Sequence, residues 1–546
     1  MGHDAMQQAD YVIVGAGSAG CVLANRLSAD GRSTVALLEA GPGDLSLWVR
    51  LPIGYGGAFH HPRLNWRYRT EPDPGTQGRV SYWPRGKVLG GSSSINAMVF
   101  IRGQAADFDG WRDLGNPGWG HDDLLPHFRA MEDNLAGADR WRGTGGPVTV
   151  TGIADKVHPL SHDYVAAALA AGLPANPDFN GATQEGVGLY QITTRGGLRC
   201  SAATAYLHPA RRRANLSVTT GAEATRILFD GTRAAGVEYR RGGRTLRIMA
   251  RREVILSAGA VNSPKLLMLS GIGPAAHLRD HGIPVLRDLP GVGGNLQDHL
   301  GMDYIYRSAV PTLNGQLRPW AGRARLALQY LLTRGGPLSL SVNQGGGFFR
   351  SSPNRDRPNM QLYFSPVSYT RADPGKRRLT LPDAFPGYLL GLSNCHPASR
   401  GRLLLRGSDP AAAPVIHPGY LSAQSDLDEL VDGVKMLRRI ARAEPLAGKT
   451  LHEIAPGPDC TGDAALAEDI RARAGSVFHP CGTCAMGPDD DPGAVVDARL
   501  RLRGVTGLRV IDASVFPRIT AGNLNAPAIM TGEKGAALVL ADRAGG

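Results

Sequence analysis

The sequence predicts an α/β protein of two lobes, the first of which is discontinuous in the chain. Three observations predict this fold. A glycine-rich turn joins a strand-like run to a helix-like run near the N-terminus, and strand-like and helix-like stretches alternate to about residue 300. A segment richer in Pro and Arg then runs from about 305 to 475, and the α/β pattern returns after it. We therefore expect the first lobe at 1–304 and 476–546, and the second mainly at 305–475.

The individual elements follow from apolar patterning. Tyr11 to Val14, Val35 to Leu38 and Val254 to Leu256 are short apolar runs of the kind that form buried parallel strands. Near the C-terminus, "GLRVIDAS" predicts a strand that ends at Asp512, and "NAPAIMTGEKGAALVLADRA" predicts a helix with Pro527 in its first turn. In the middle segment, "RPWAGRARLALQYLLTRGG" predicts a further helix.

Composition excludes several classes of protein. With 42% apolar and 20% charged residues, the chain of 546 residues is typical of a globular protein with more than one core. The net charge of +12 is spread along the chain, and the longest run of a single basic residue type is Arg211 to Arg213, without an aromatic-rich motif beside it. We therefore expect a solvated basic surface and no nucleic-acid partner.

Compartment is inferred from the cysteines and from the apolar runs. Six cysteines in so long a chain do not make a disulfide framework. The start "MGHDAMQQADYVIVGAG" lacks a basic segment followed by an apolar one, so it does not predict a signal peptide. No apolar run reaches about 18 residues, the length that a membrane-spanning helix requires. A cytoplasmic location without a membrane span is the expectation.

A dinucleotide-binding motif opens the chain. The first strand-like run leads into Gly15-x-Gly17-x-x-Gly20, a helix-like run follows, and the second strand-like run ends in Glu39. In this pattern Gly15 permits the turn, Gly17 lets the backbone approach a pyrophosphate, and Gly20 lets helix and strand pack closely. The Glu39 carboxylate can accept hydrogen bonds from a ribose. The motif alone is compatible with NAD or FAD.

The segment "VFHPCGTCAMG", Val477 to Gly487, has three possible meanings. His479, Cys481 and Cys484 could hold zinc, the two cysteines could form a redox dithiol, or His479 could carry the chemistry while the cysteines pack. Pro480-Cys481-x-x-Cys484 matches half of a zinc-deaminase signature, but no histidine of the chain is followed two places later by Glu. The zinc possibility is therefore disfavoured and no metal is expected, and the thioredoxin-like context that would support a redox dithiol is not visible, so the cysteines are expected to pack.

Several motifs together resemble the glucose–methanol–choline (GMC) family of flavin oxidoreductases. "GKVLGGSSSINAMVFIRGQAADFD" (86–109) is similar to the first family signature and "GAVNSPKLLMLSGIG" (259–273) to the second. "FHPCGTCAMG" and "TAGNLNAPAIMTGEK" resemble the two C-terminal active-site segments. The resemblance extends from about 10 to 540 and implies a Rossmann-type FAD-binding domain with an inserted α+β substrate-binding domain.

The resemblance also implies a cofactor and a set of site residues. The cofactor is FAD, and His479 and Asn523 fall on the two catalytic positions. Ala224 falls where the backbone meets the adenine. The cofactor-binding residues expected from the motifs are Gly15, Gly17, Ser18, Ala19, Gly20, Glu39, Ala40, Gly90, Gly91, Ser92, Asn96, Ala97, Ala224, Asp512, Ala513 and Asn525. FAD is expected to be non-covalent, because the position where some members carry a linking histidine is Ile95 here.

The implied reaction is oxidation of an alcohol to an aldehyde or ketone. A neutral His479 would accept the hydroxyl proton while a hydride leaves carbon for flavin N5. Asn523 offers a donor and an acceptor to orient the substrate oxygen. A helix that starts near Asn525 would direct its N-terminal dipole at the negative charge of the reduced flavin.

Two alternatives and several details stay open. The chain could be an NAD-dependent oxidoreductase or a non-catalytic nucleotide-binding protein. The alcohol could be choline-like, aliphatic, aryl, polyether, sugar or aminosugar. The electron acceptor could be oxygen, or a quinone or dye, and the sequence does not indicate an oligomeric state.

Overall fold

A seven-stranded sheet forms the core of the first lobe in the computed structural model, which describes residues 7–369 and 381–545. Residues 1–6, part of the segment that lacks a signal-peptide pattern, lie outside the described residues. The strands lie in the order Leu216–Thr220, Val35–Glu39, Gln8–Val14, Arg244–Leu256, Arg233–Arg241, Glu223–Asp230, with Leu508–Val510 also paired to Arg244–Leu256. The pairs that involve Gln8–Val14, Val35–Glu39 and Leu508–Val510 are parallel.

The expected strands at Tyr11 to Val14, Val35 to Leu38 and Val254 to Leu256 all lie in this sheet. The expected strand near the C-terminus ends at Val510, two residues before Asp512. The Asp512 carboxylate instead accepts hydrogen bonds from the backbone of Ser514 at 2.8 Å and of Gly259 at 2.9 Å. These bonds turn the chain out of the sheet.

The first and last helices pack against each other beside this sheet. Ser18–Leu27 and Asn525–Gly545 approach so closely that a Cβ on Gly532 would lie 3.0 Å from the Cα of Ala19. The Ser18 hydroxyl donates to the Asn525 side chain at 2.9 Å. The N-terminal nucleotide motif and the C-terminal segment therefore belong to one lobe.

A second sheet, antiparallel throughout, forms the other lobe. Its strands lie in the order Thr450–Ala455, Leu300–Ser308, Gly387–Asn394, Met360–Ser365, Gly345–Phe349, Gly186–Leu189, with Gly475–Ser476 also paired to Leu300–Ser308. One edge strand, Gly186–Leu189, comes from the stretch assigned by sequence to the first lobe, as does the start of Leu300–Ser308. The sheet of the second lobe therefore extends beyond 305–475.

Helices pack against both sheets, and within the described residues five short strand pairs lie outside them. The longer helices are Ser18–Leu27, Ala105–Asp113, His121–Met131, Pro159–Ala170, Gly259–Leu269, Trp320–Thr333, Gln424–Ala441, Asp463–Arg473 and Asn525–Gly545. The strand pairs are Tyr68–Arg69 with Tyr82–Trp83, Glu132–Asn134 with Val148–Val150, Thr194–Arg195 with Leu198–Arg199, Ile272–Gly273 with Arg287–Asp288, and Arg402–Leu404 with Val415–His417. Across the described ranges, none of the helices combines the length and apolarity needed to cross a bilayer.

Candidate active site

A cavity of about 1160 Å³ has walls from both sheets, including Val14 and Leu38 of the first and Tyr363 and Leu389 of the second. Most of the site residues expected from the sequence line it: His479, Asn523, Gly15, Gly17, Ser18, Ala19, Glu39, Ala40, Gly91, Ser92, Asn96, Ala97, Ala224, Asp512, Ala513 and Asn525. The fold therefore brings segments from both ends of the chain to one cavity.

Gly20 and Gly90 are the expected site residues that do not line the cavity. A Cβ on Gly20 would lie 1.9 Å from the carbonyl oxygen of Gly15, so Gly20 serves the close packing of helix and turn. Gly90 has a φ of +87°, and a Cβ there would lie 2.2 Å from the Ser94 hydroxyl. Both glycines therefore lie behind the cavity wall, where they allow the segments that form the wall to pack closely.

Bare backbone forms one end of the cavity, at the start of helix Ser18–Leu27. The atom nearest to the position that a Cβ on Gly17 would occupy is the Ser257 carbonyl oxygen, 3.7 Å away, so this position is open. A Cβ on Gly91 would lie only 2.6 Å from the Cα of Gly17, so the two glycine loops touch. Accessible backbone at a helix N-terminus fits a pyrophosphate group.

The Glu39 carboxylate lies at the same end. Its two oxygens accept backbone hydrogen bonds from Ala16 at 2.9 Å and from Gly41 at 2.8 Å. Burial nevertheless raises the pKa of Glu39 to about 7. A further hydroxyl donor would stabilise the ionised carboxylate, and the ribose of a dinucleotide supplies one. This end of the cavity therefore fits a dinucleotide.

His479 and Asn523 meet in another part of the cavity, where Asn523 Nδ2 lies 3.2 Å from His479 Nε2. On the other side of the ring, His479 Nδ1 lies 2.9 Å from Nδ1 of His299. His299 Nε2 lies 2.9 Å from the carbonyl oxygen of Cys395, which can only accept, so this nitrogen carries the proton. Nδ1 of His299 is then an acceptor, Nδ1 of His479 donates to it, and the lone pair of His479 is on Nε2.

Both imidazoles have to be neutral for this arrangement, and their surroundings make them so. Burial, followed by the charges of His299 and Arg85, lowers the pKa of His479 well below 6.5. Burial also lowers the pKa of His299 to about 4. At pH 7 His479 therefore offers an unprotonated nitrogen, which is the form that a general base requires.

A chain of hydrogen bonds also fixes the orientation of the Asn523 amide. The Tyr190 hydroxyl donates to the Leu362 carbonyl oxygen at 2.6 Å, so it can accept from Gln361 Nε2 at 3.0 Å. The same Nε2 lies 3.2 Å from Asn523 Oδ1. With its oxygen bonded in this way, Asn523 directs its NH₂ group at Nε2 of His479.

Two buried carboxylates hold the backbone of the segments that carry these side chains. Asp298 accepts from the backbone N–H of His479 at 2.7 Å and from the Tyr420 hydroxyl at 2.5 Å. Asp107 accepts from the backbone N–H of Ala521 at 2.7 Å. The backbone positions of the segments that carry His479 and Asn523 are thus set by carboxylates outside the cavity.

The cysteines beside His479 are parts of the hydrophobic core. Cys481 and Cys484 are fully buried, and burial raises the pKa of both thiols well above the usual range. The thiolate, the form that binds metal or exchanges disulfides, is therefore disfavoured. In the part of the chain that the structure describes, no cluster of three or more His, Cys, Asp or Glu side chains could hold a metal ion.

Sequence reasoning missed His299, Asp298, Gln361 and Tyr190. The adjacent acid and histidine in "NLQDHLG" were a usable signal, because a buried Asp-His pair requires partners. Gln361 and Tyr190 gave no such signal. They lie in and beside strands of the second sheet, and their relation to Asn523 depends on pairing between distant segments.

Comparison with known proteins identifies the family. Family models described as GMC oxidoreductase match residues 9–301 and 397–532. The chain belongs to the GMC oxidoreductase family. This GMC protein is 44% identical over 535 residues to an alcohol dehydrogenase (acceptor) of Pseudomonas putida, a match that covers 97% of this chain and 95% of that protein. It is 43% identical over 533 residues to an oxygen-dependent choline dehydrogenase of Rhizobium etli, with 98% and 96% covered.

Solved structures of GMC proteins have the same fold. Pyridoxine 4-oxidase from Mesorbium loti superimposes with a TM-score of 0.87 at 34% identity, covering 97% of this chain and 98% of the other. Formate oxidase superimposes with a TM-score of 0.91 at 25% identity over the full length of both chains. The expected α/β fold of the GMC type is confirmed.

Family membership decides two questions that the sequence left open. The cofactor of this GMC protein is FAD, which removes the NAD alternative. The protein is an enzyme that oxidises alcohols with FAD, which removes the non-catalytic alternative. The glycine-rich end of the cavity and the Glu39 carboxylate fit this cofactor.

Proposed function

We propose that His479 is the general base that takes the hydroxyl proton of the alcohol at Nε2. The observation that supports this role is the contact between Nδ1 of His479 and Nδ1 of His299, which puts the His479 lone pair on Nε2. Burial keeps the imidazole neutral. When bound, FAD accepts the hydride that leaves the carbon atom.

In this proposal Asn523 orients the substrate. Its NH₂ group, held toward His479 Nε2 by the Gln361 contact, can donate to the alcohol oxygen as the oxygen loses its proton. A substrate oxygen between the two side chains would accept from Asn523 and donate to His479. The two residues would then hold the hydroxyl group in one orientation before the proton moves.

The cofactor is held without a covalent bond in this proposal. Gly15 and Gly17 cradle the pyrophosphate, Glu39 accepts from the ribose and Ala224 meets the adenine, while Ser92, Asn96 and Asn525 lie along the same cavity. The support is the bare backbone at Gly17 and the hydrocarbon side chain of Ile95, which packs with Val49 and Val88. The other expected FAD-binding residues that line the cavity, and that we propose contact the cofactor, are Ser18, Ala19, Ala40, Gly91, Ala97, Asp512 and Ala513.

The substrate is an uncharged alcohol with an apolar group. The cavity walls in the second lobe and near His479 carry many apolar side chains, among them Tyr55, Phe59, Val99, Leu338, Val342, Tyr363, Leu389 and Phe478. A charged side chain that lines the cavity beside His479 is positive: the Arg85 guanidinium donates to the carbonyl oxygen of Phe478 at 2.6 Å, whereas the Asp298 carboxylate lies behind the cavity wall. This charge opposes binding of a cation such as choline next to His479.

The electron acceptor is oxygen, or a quinone or dye, and the protein is cytoplasmic. The six cysteines, none of which forms a disulfide, support a reducing compartment.

The second lobe, mainly 305–475, provides the selectivity for the alcohol. Its strands Met360–Ser365 and Gly387–Asn394 supply Tyr363 and Leu389 to the cavity wall.

An alcohol panel tests this function. Holoenzyme is assayed with aliphatic, aryl, polyether and sugar alcohols and with choline, using a dye acceptor without oxygen and then oxygen alone. We expect the kcat/KM of an apolar primary alcohol to exceed that of choline by at least about tenfold. A preference for choline would contradict the substrate class, and no turnover of any alcohol would contradict the proposed chemistry.

A further inference from the structure

The helix Trp320–Thr333, here called the Trp320 helix, turns much of its apolar surface to solvent. It is anchored by the buried side chains of Leu326 and Tyr330. Its other large apolar side chains are exposed, namely Trp320 by 77%, Leu328 by 58%, Leu331 by 68% and Leu332 by 77%. Single exposed apolar residues are ordinary, but several on one helix face mark an interaction surface.

The charged residues in the sequence around this helix have one sign, although Arg350 and Arg355 are paired with Glu185 and Glu429. All charged residues between Asp303 and Asp356 are arginines: Arg307, Arg318, Arg323, Arg325, Arg334, Arg350 and Arg355. Helical periodicity places Trp320, Leu328 and Leu331 on one face, with Arg323 and Arg325 on its two sides. Among the described residues, neither of these two arginines has a salt-bridge partner. An apolar face bordered by arginine is the pattern of helices that lie in a lipid interface.

A second exposed apolar patch lies on the other side of the turn Pro337–Ser339, which follows the Trp320 helix. Around the short helix Leu47–Arg50, Leu45 is 82%, Leu47 71% and Trp48 44% exposed. This helix leads into Pro52–Gly54, which packs against the turn Pro337–Ser339. That turn also packs against the Trp320 helix, so the two patches are neighbours.

The two patches adjoin an opening of the active-site cavity. Trp48, Leu317, Arg323, Leu338 and Leu381 line the cavity. Trp48 and Leu381 are each 44% exposed, so the cavity reaches the surface between the patches. Whatever covers this surface also faces the route by which small molecules enter.

We propose that this surface docks the enzyme on an anionic lipid bilayer, with the opening of the cavity facing the lipid. Trp320, Leu328 and Leu331 would enter the interface, and the flanking arginines would contact anionic headgroups. A second copy of the chain fits less well, because self-association would bring two arginine-bordered faces together. An apolar alcohol dissolved in the membrane could then enter the cavity without passing through water.

Vesicle co-sedimentation of the holoenzyme tests this proposal. The vesicles are phosphatidylcholine alone, or phosphatidylcholine with about one-third phosphatidylglycerol. We expect the fraction bound to the anionic vesicles to be at least about tenfold higher, and to fall at high salt. The variant Leu328→Glu/Leu331→Glu should lose this binding and keep its melting temperature and dye-coupled turnover. Neither side chain lines the cavity.

Leu451→Glu is the matched control, because Leu451 is 58% exposed on strand Thr450–Ala455, as Leu328 is on its helix. It should bind vesicles like the wild type. The proposal is overturned if the wild type shows no preference for anionic vesicles, or if the double variant binds them as well as the wild type does. It is also overturned if the control loses binding equally. A dimer that ignores vesicles and that the double variant converts to a monomer would identify the surface as a self-association face instead.

Discussion

His299 and His479 share a single proton between two Nδ1 atoms that lie 2.9 Å apart. The Cys395 carbonyl oxygen holds the other proton of His299 on Nε2, so the direction of this hydrogen bond is fixed by a backbone group. A backbone acceptor at one end thereby determines which nitrogen of His479 faces the cavity unprotonated. The first two predictions follow from this chain of bonds.

Removal of the proposed base should lower turnover without loss of cofactor. His479→Ala removes the acceptor of the hydroxyl proton, and we expect kcat to fall by about 10²–10⁴-fold while FAD stays bound. The measurement is steady-state turnover together with the flavin-to-protein ratio. His452→Ala is the control, because His452 is exposed on strand Thr450–Ala455 and should turn over normally. A near-normal rate for His479→Ala would refute the assignment.

Loss of His299 should change the pH dependence of catalysis. His479 has a pKa well below 6.5 because of burial and then of His299, so kcat/KM should reach its full value below neutral pH as His479 loses its proton. At a pH low enough to protonate His299, its charge opposes protonation of His479, and His299→Leu removes this repulsion, so the acid limb should move to higher pH. It also removes the acceptor that fixes the tautomer, and kcat should fall by at least about tenfold.

The conservative variant separates positioning from general damage at this site. In His299→Asn, an amide oxygen can take the place of the Nδ1 acceptor, so part of the turnover should return. His299 is a positioning residue in this account, since it acts through His479. An unchanged acid limb and rate in His299→Leu would show that the contact between the two histidines does not govern proton transfer.

The cysteines of "HPCGTC" should prove dispensable for chemistry. Cys481→Ala with Cys484→Ala removes two fully buried thiols, so the free energy of unfolding should fall by about 1–3 kcal/mol. Turnover should stay within about tenfold of the wild type, because burial raises the pKa of both thiols and disfavours the reactive thiolate. Metal analysis supplies the decisive comparison. One zinc per chain that disappears in the double variant would restore the zinc hypothesis.

FAD should leave the protein on denaturation. Ile95 is 2% exposed and has no nucleophilic atom, and hydroxyls such as that of Ser93 lack an activating base among their contacts. After acid or heat precipitation, the yellow colour should therefore appear in the supernatant in a ratio of one flavin per chain. Colour retained in the precipitate would reveal a covalent bond elsewhere.

Local patterns predicted the elements that build the cofactor end of the cavity. The strands that contain Tyr11 and Val35, the glycine turn and the C-terminal helix lie where their apolar periodicity indicates, because each is decided by neighbours close in sequence. The helix expected in "RPWAGRARLALQYLLTRGG" is also confirmed, as Trp320–Thr333. The same patterns gave no sign that this helix directs Leu328, Leu331 and Leu332 outward.

What the sequence could not predict depends on distant pairing. Strand Gly186–Leu189 joins the second sheet across a long stretch of chain, so a boundary read from composition does not capture it. Likewise, the contact of Gln361 with Asn523 requires that a strand of one lobe meet a loop of the other. Asp512 lies outside the expected strand, and its carboxylate accepts hydrogen bonds from backbone N–H groups. One of these groups, that of Gly259, is distant in sequence, so the sequence pattern near Asp512 does not reveal it.

The contact between the first helix and the last has a consequence for biosynthesis. Helix Ser18–Leu27 leaves the ribosome early, whereas its packing partner Asn525–Gly545 and the site residue Asn523 are translated much later. Until those later residues have left the ribosome, one wall of the flavin cavity does not exist. Complete enclosure of FAD therefore has to follow synthesis of helix Asn525–Gly545, although the N-terminal glycine turn is made first.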